Sequence, residues 1–333
     1  LTTWFDVFLP SLDLENPVVR EAVTDSALFW FKHFDLDGFR HDATKHIPED
    51  YWRLLSYKFK TKLNKDKARN IYQIGETYGG PELISSYVSS GMLNAQFDFN
   101  LYDAALRFFA ADFDSIQSIK QIEDLKNTIN EGFRYYGYRH LMGNISGNQD
   151  KPRFVSLADG SVSFSEDTKL AGWTREIGDA KEKAFPRLAN MMALNFFLPG
   201  IPVIYYGDEI GMPGANDPDN RRMMKFSNLN EKELWLKNNI SQLSKIRKEN
   251  LELIYGDTKI LKTDGNSLVI MRSYMGQISL LVISKNAEQI QIKLPKILLN
   301  KIAEPLVKSS FEINEGVLTL SLGTDDFAII KFK

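Results

Sequence analysis

Arg40 and Asp42 stand two residues apart in Asp37-Gly38-Phe39-Arg40-His41-Asp42. Strand side chains alternate faces with period two, so on a strand this cation and carboxylate point the same way. Charged groups at the end of an apolar strand are costly unless paired. Two readings are open: a structural ion pair, or an arginine that keeps Asp42 ionised, as a nucleophilic carboxylate must be. Glu76 follows Ile71-Tyr72-Gln73-Ile74-Gly75, and Asp150 follows Leu141-Met142-Gly143-Asn144. Taken singly, each is as well explained as an acidic strand-end cap. Three on separate strands, with an arginine beside one, favour chemistry. Converging carboxylates without a histidine-rich metal set suit glycoside hydrolysis, one as nucleophile and one as general acid/base, about 5–5.5 Å apart in the retaining case. The acid needs a raised pKa, which burial and a neighbouring carboxylate supply.

The elements that must position these groups alternate. Asn16-Pro17 opens a helix to about residue 34, with Val18, Val19, Ala22, Ala27, Leu28 and Phe31 on its expected buried face. A strand is expected over 36–42, a helix over 49–63, a polar turn over 62–70 and strands over 71–76 and 94–99. Helical patterns fill 101–110 and 115–131, a strand covers 141–144, and 160–172 reads as polar loop. A helix over 180–198 leads to a strand over 202–209, and another helix covers 231–249. Each strand ends in polar or acidic residues, such as Asp98 and Asp208-Glu209. Five strand–helix repeats with continuous apolar strands imply a parallel sheet. Five strands do not close a (β/α)8 barrel, so the expected fold is its C-terminal part, about strands four to eight, over 1–250. A doubly wound open sheet is the runner-up, weakened by the lack of a glycine-rich phosphate loop. From 251 to 333, short alternating segments separated by turns such as Asp264-Gly265 and Met275-Gly276 imply an all-β antiparallel sandwich domain.

Composition removes other classes. A net charge of -2 gives no footprint for nucleic acid. The absence of cysteine excludes disulfides and thiolate metal sites. No apolar run reaches membrane-spanning length. The chain opens at Leu1, not Met, so its true N-terminus is expected to lie upstream and targeting is not readable; a periplasmic or extracellular location is slightly favoured over a cytoplasmic one.

Gly38-Phe39-Arg40-His41-Asp42-Ala43-Thr44-Lys45-His46, Gly75-Glu76, Asn148-Gln149-Asp150 with Arg153, and Gly207-Asp208-Glu209-Ile210-Gly211 together resemble the motifs of the α-amylase superfamily of glycoside hydrolases. The nearest branches are those of neopullulanase, cyclomaltodextrinase and maltooligosaccharide-degrading enzymes. Leu9-Pro10-Ser11-Leu12-Asp13 with Asn16-Pro17 resembles the segment that closes the family's inserted domain before the fourth strand. The resemblance implies a retaining α-1,4-glucan hydrolase acting on maltooligosaccharides, cyclodextrins, pullulan or starch. Asp42 would attack the anomeric carbon and form a covalent glucosyl-enzyme. Glu76 would protonate the leaving oxygen and then activate water. Asp150 would grip sugar hydroxyls, and Arg40 would orient Asp42. Lys45 and His46 would contact the leaving-group side, and Tyr78 would offer an aromatic platform. Asp217 and Arg221 would bind the sugar one step beyond the cleaved unit, with a solvated ion pair as the competing reading.

Two departures stand out. Gln149 replaces the family's usual histidine; it can donate a hydrogen bond to a sugar but cannot carry charge. The first motif, with an Asn and a His near the third strand's end, is absent, so little activity is expected of this polypeptide alone. A transglycosylase on the same machinery and a non-catalytic glucan-binding relative are the alternatives. The resemblance also raises a structural calcium, with ligands not assignable from these residues. The open barrel edge invites an oligomer or a partner segment to cover it.

Overall fold

The computed structural model describes residues 4–6, 8–63, 71–113, 115–307 and 310–333; the turn expected over 62–70 falls, from 64 onward, outside the described residues. The chain divides into two compact units, Leu1–Asn100 with His140–Gly143, and Leu101–Arg139 with Asn144–Lys333.

In the first unit an antiparallel pair, β1 (Trp4–Asp6) and β2 (Leu9–Pro10), precedes helix α1 (Pro17–His33). The Asn16 side chain accepts the Val18 N–H at 3.0 Å, and Pro17 takes the first helical position, where no N–H is needed. The helix buries Thr24 and Leu28 and packs Val23, Ala27 and Phe31 against Trp52, Leu55, Phe59 and Leu93. Val18 and Ala22, expected inside, are exposed, because at 100° per residue they fall outside the stripe defined by residues 24, 27, 28 and 31.

Strands β3 (Gly38–His41), β4 (Tyr72–Gly75) and β5 (Ala95–Gln96) form a parallel sheet in that order, with α2 (Glu49–Lys58) and α3 (Pro81–Ser86) in the crossovers. Arg40 lies opposite Ile74, His41 opposite Gly75, and Gly75 opposite Gln96. Parallel strands bring their carboxyl ends to one side, which is why Asp42 and Glu76 become neighbours. Glycine at 38 is required by a close approach: a Cβ there would lie 1.8 Å from the Tyr72 carbonyl oxygen.

Helix α4 (Phe99–Ala110) carries the chain into the second unit, so the strand expected over 94–99 is reduced to two residues. There follow α5 (Ser115–Tyr136), β6 (Gly143–Ile145), α6 (Phe154–Ala158), α7 (Thr168–Thr174), α8 (Ala184–Phe197), β7 (Ile201–Val203), α9 (Glu231–Glu249) and α10 (Leu251–Tyr255). Helix α7 occupies the expected polar loop; Asp167 caps it by accepting from the N–H groups of Lys169 and Leu170. Strands β6 and β7 pair, and the Ser146 N–H beyond β6 donates to Val203 O at 2.9 Å. Helix α8 is buried nearly all round, as its apolar composition demands.

Eight strands complete the unit: β8 (Asp257–Thr263), β9 (Ser267–Tyr274), β10 (Gln277–Ser284), β11 (Glu288–Lys293), β12 (Ala303–Val307), β13 (Phe311–Asn314), β14 (Val317–Leu322) and β15 (Asp326–Phe332). They form two antiparallel sheets, ordered β12-β15-β10-β9-β8 and β11-β14-β13. Val269, Leu280 and Ile330 of one sheet share a core with Ile290, Leu318 and Leu320 of the other, which makes a sandwich. Met275 and Gly276, with φ of 47° and 81°, form the expected hairpin turn between β9 and β10.

Candidate active site

The first unit gathers Arg40, Asp42 and Glu76. Strand β3 delivers Arg40, and Asp42 follows in the turn after it. One guanidinium serves both carboxylates: Arg40 Nη1 donates to Asp42 Oδ1, and Nη2 lies 3.2 Å from Glu76 Oε2. Asp42 is open, its side chain 69% exposed, whereas that of Glu76 is 17% exposed. One cation thus holds two acids through adjacent nitrogens, one accessible and one sheltered.

The backbone around them is tied. Thr44 N–H donates to Glu76 O at 2.8 Å, Glu76 N–H lies 2.9 Å from His41 O and 3.0 Å from Thr44 Oγ1, and Ala43 N–H reaches Glu76 Oε2 at 3.3 Å. Ala43 takes φ 44°, a left-handed turn that sends the chain from β3 towards Glu76. Gly75, next to the acid, is enclosed: a Cβ there would lie 2.5 Å from Thr44 Oγ1 and 2.7 Å from Gln96 Oε1. Lys45 Nζ donates to Tyr78 O at 3.0 Å, and Tyr78 is half exposed, its ring edge-on to Phe99. His46 closes the short turn Thr44–His46. His41 lies within hydrogen-bonding distance of Gln73 Oε1, at 3.1 Å, and packs on Trp52; burial, with the Arg40 charge in support, pushes its imidazole down to about 4, so it is neutral at pH 7.

The second unit gathers Gln149, Asp150, Asp217 and Arg221. Asp150 is 52% exposed; Gln149 Nε2 donates to its Oδ2 at 3.0 Å, and Arg221 Nη2 to its Oδ1 at 3.4 Å. Arg221 Nε also pairs with Asp217 Oδ1 at 2.7 Å, so the expected pair exists and includes Asp150. Beneath them Arg153 is buried. Its Nη1 meets Tyr206 O at 2.6 Å and Asp208 Oδ1 at 2.9 Å, its Nε meets Asn220 O at 3.0 Å, and its guanidinium carbon lies 4.1 Å from the centre of the Tyr205 ring. Asp208 accepts from Ser146 Oγ at 2.6 Å; its complete burial raises its carboxyl above the usual range, against the pull of Arg153. Asp208 and Glu209 sit in a 3-10 turn after Gly207 (φ 88°), beyond the end of β7, where sequence reading extends the strand.

The expected residues thus fall into two hydrogen-bonded groups, one in each unit. Asn220 is the residue the motifs give no reason to single out. A lone Asn in a Gly/Pro/Asp loop reads as a turn former, and only its place beside Arg221 hints otherwise. Among the described residues no group of three or more acidic or histidine side chains is placed to hold a metal ion, so no residue is assigned to calcium. Among the same residues no helix is long and apolar enough to cross a membrane.

The profile of the family described as Alpha amylase, catalytic domain, matches residues 2–250. A cyclomaltodextrinase of Geobacillus thermopakistaniensis (strain MAS1) is 28% identical over 295 residues, covering 86% of this chain and 43% of that relative. A cyclomaltodextrinase of Thermoanaerobacter pseudethanolicus (strain ATCC 33223 / 39E) is 28% identical, again over 43% of its length. The α-amylase of Geobacillus thermoleovorans, solved with acarbose, superposes with a TM-score of 0.78 at 26% identity, covering 98% of this chain and 66% of that one. This chain therefore spans less than half the length of those two curated relatives. Its fold is the C-terminal part of a (β/α)8 barrel followed by an antiparallel β-sandwich, and the chain belongs to the alpha-amylase catalytic-domain family.

Proposed function

We propose that this polypeptide serves a retaining α-glucan hydrolase, with its catalytic part in residues 1–250 and the sandwich in 251–333. Asp42 attacks the anomeric carbon and forms a covalent glucosyl-enzyme. Glu76 gives its proton to the leaving glycosidic oxygen, then takes one from the incoming water. Arg40 orients the two acids and balances charge as it moves between them. Asp150, Asp217 and Arg221 serve as sugar-binding groups. The observation that carries this reading is the Arg40 guanidinium shared by Asp42 and Glu76. The names of relatives, cyclomaltodextrinase and maltogenic alpha-amylase, support a maltooligosaccharide or cyclodextrin substrate. A cyclomaltodextrin glucanotransferase of Geobacillus stearothermophilus, 25% identical, supports transglycosylation as the second reading.

The test is trapping with 5-fluoro-α-glucosyl fluoride, followed by peptide mass spectrometry. A 5-fluoroglucosyl adduct on Asp42 is expected, absent in Asp42→Asn and longer-lived in Glu76→Gln, which cannot activate the water that releases it. An adduct on another carboxylate, or none on Asp42 in a preparation shown to turn over maltotriose, rejects the assignment. Products formed at high maltotriose concentration separate the readings: glucose and maltose for hydrolysis, longer chains for transfer.

A further inference from the structure

We propose that Asn220 is a positioning residue: it clamps the Asp150 loop in register with the Asp217–Arg221 pair. The sugar-binding half of this inference rests on the roles given above to Asp150 and that pair.

Asn220 is completely buried. Its Nδ2 donates to Gln149 O at 2.8 Å and Lys151 O at 2.7 Å, and approaches Asn148 O at 3.3 Å. Two of these carbonyls precede Asp150 and one follows it, so a single amide fixes the chain on both sides of the acid. The loop contributes a second tie of its own, from Asp150 N–H to Asn148 Oδ1 at 3.0 Å. The clamp itself is anchored. Arg153 Nε holds the Asn220 carbonyl at 3.0 Å, and Arg153 is fixed by Asp208 and Tyr206 O. Asn220 Oδ1 is buried without a hydrogen-bond partner among the described residues. A buried amide that spends its nitrogen on three carbonyls and leaves its oxygen unmatched is oriented by the loop it donates to. The next residue, Arg221, reaches Asp150 Oδ1 and Asp217 Oδ1. One short turn, Asp219–Arg221, therefore sets both the backbone and the side-chain contacts of Asp150.

Asn220→Asp keeps the shape and replaces the donor with an acceptor facing three carbonyls; Asn220→Ala removes the clamp without adding charge. Amide hydrogen exchange read by mass spectrometry needs no ligand. In both variants, exchange in a peptide covering 148–153 should rise at least tenfold, with helix α8 unchanged. Wild-type exchange in that loop, or a rise equally large in α8, overturns the clamp. Maltotriose affinity, measured by calorimetry, should fall about tenfold in Asn220→Asp but less than twofold when the substitution is made in Asp150→Asn. Equal losses in the two backgrounds overturn the coupling to Asp150. A wild-type protein that does not bind maltotriose overturns the sugar-binding half, while the exchange result still judges the clamp.

Discussion

Arg153 and Asp208 face each other at 2.9 Å, with 1% and 2% of their side chains exposed. An ion pair so deeply enclosed is stable only because each charge has further partners: two backbone carbonyls for the arginine and a serine hydroxyl for the aspartate. Removing one partner leaves the other without compensation. Arg153→Met should cost about 3–5 kcal/mol in urea denaturation, whereas Asp208→Asn, which keeps an acceptor for Ser146, should cost less. The pH dependence has a definite sign. Burial already raises the Asp208 carboxyl, and losing Arg153 raises it further. The folded variant then holds a proton that the unfolded chain has released, so Arg153→Met should lose stability as pH rises through that folded value. A variant equally stable at pH 5 and pH 8 contradicts this.

His41 gives an acid-side prediction. Its folded value near 4 lies below the ordinary 6.5, so between these limits the unfolded chain binds a proton that the folded one refuses. Stability is unaffected by this group above pH 6.5 and falls as pH drops towards 4, by up to about 3 kcal/mol. Urea midpoints at pH 7, 5.5 and 4 should show a shallower slope for His41→Gln. Parallel slopes would mean that other groups dominate.

Gln149 donates to the Asp150 carboxylate through a neutral amide. A protonated imidazole there would make a charge-assisted hydrogen bond, about twice as strong. Gln149→His should tighten maltotriose binding about fivefold near pH 6 and change turnover by less than twofold. Titration calorimetry at pH 6 and pH 8 checks it; an affinity unchanged at both pH values defeats the idea.

At the start of α9, Asn230 accepts the Glu233 N–H at 3.0 Å, while Glu233 returns to the Asn230 N–H at 2.7 Å. Such reciprocal caps satisfy two otherwise orphaned donors. Asn230→Ala should lower stability by about 1 kcal/mol in the same urea assay.

Sequence reading found what local rules determine. Asn16-Pro17 and Met275-Gly276 announce a helix start and a hairpin because the backbone there permits few residue types. It lost elements whose identity is set by partners elsewhere. Helix α7 is short and polar, and is marked only by the Asp167 cap. Strand β8 alternates Lys and Thr with Ile and Leu weakly, and becomes a strand by pairing with β9. In the candidate site, Arg40, Asp42 and Glu76 were legible as strand-end charges. Asn220 was not, because its importance lies in three carbonyl oxygens contributed by a loop about seventy residues earlier.

Gly75 carries a consequence for anyone who would redesign this molecule. Every side chain added there begins with a Cβ already inside the radius of Thr44 Oγ1, Gln96 Oε1 and a Leu93 methyl group. Thr44 is the residue whose hydroxyl and N–H grip the backbone of Glu76. A saturation library at position 75 should therefore collapse, after selection, to a single amino acid, while at Tyr78, three residues on and half exposed, other aromatic residues should also survive. The boundary between those two outcomes marks where the scaffold ends and where specificity becomes open to engineering.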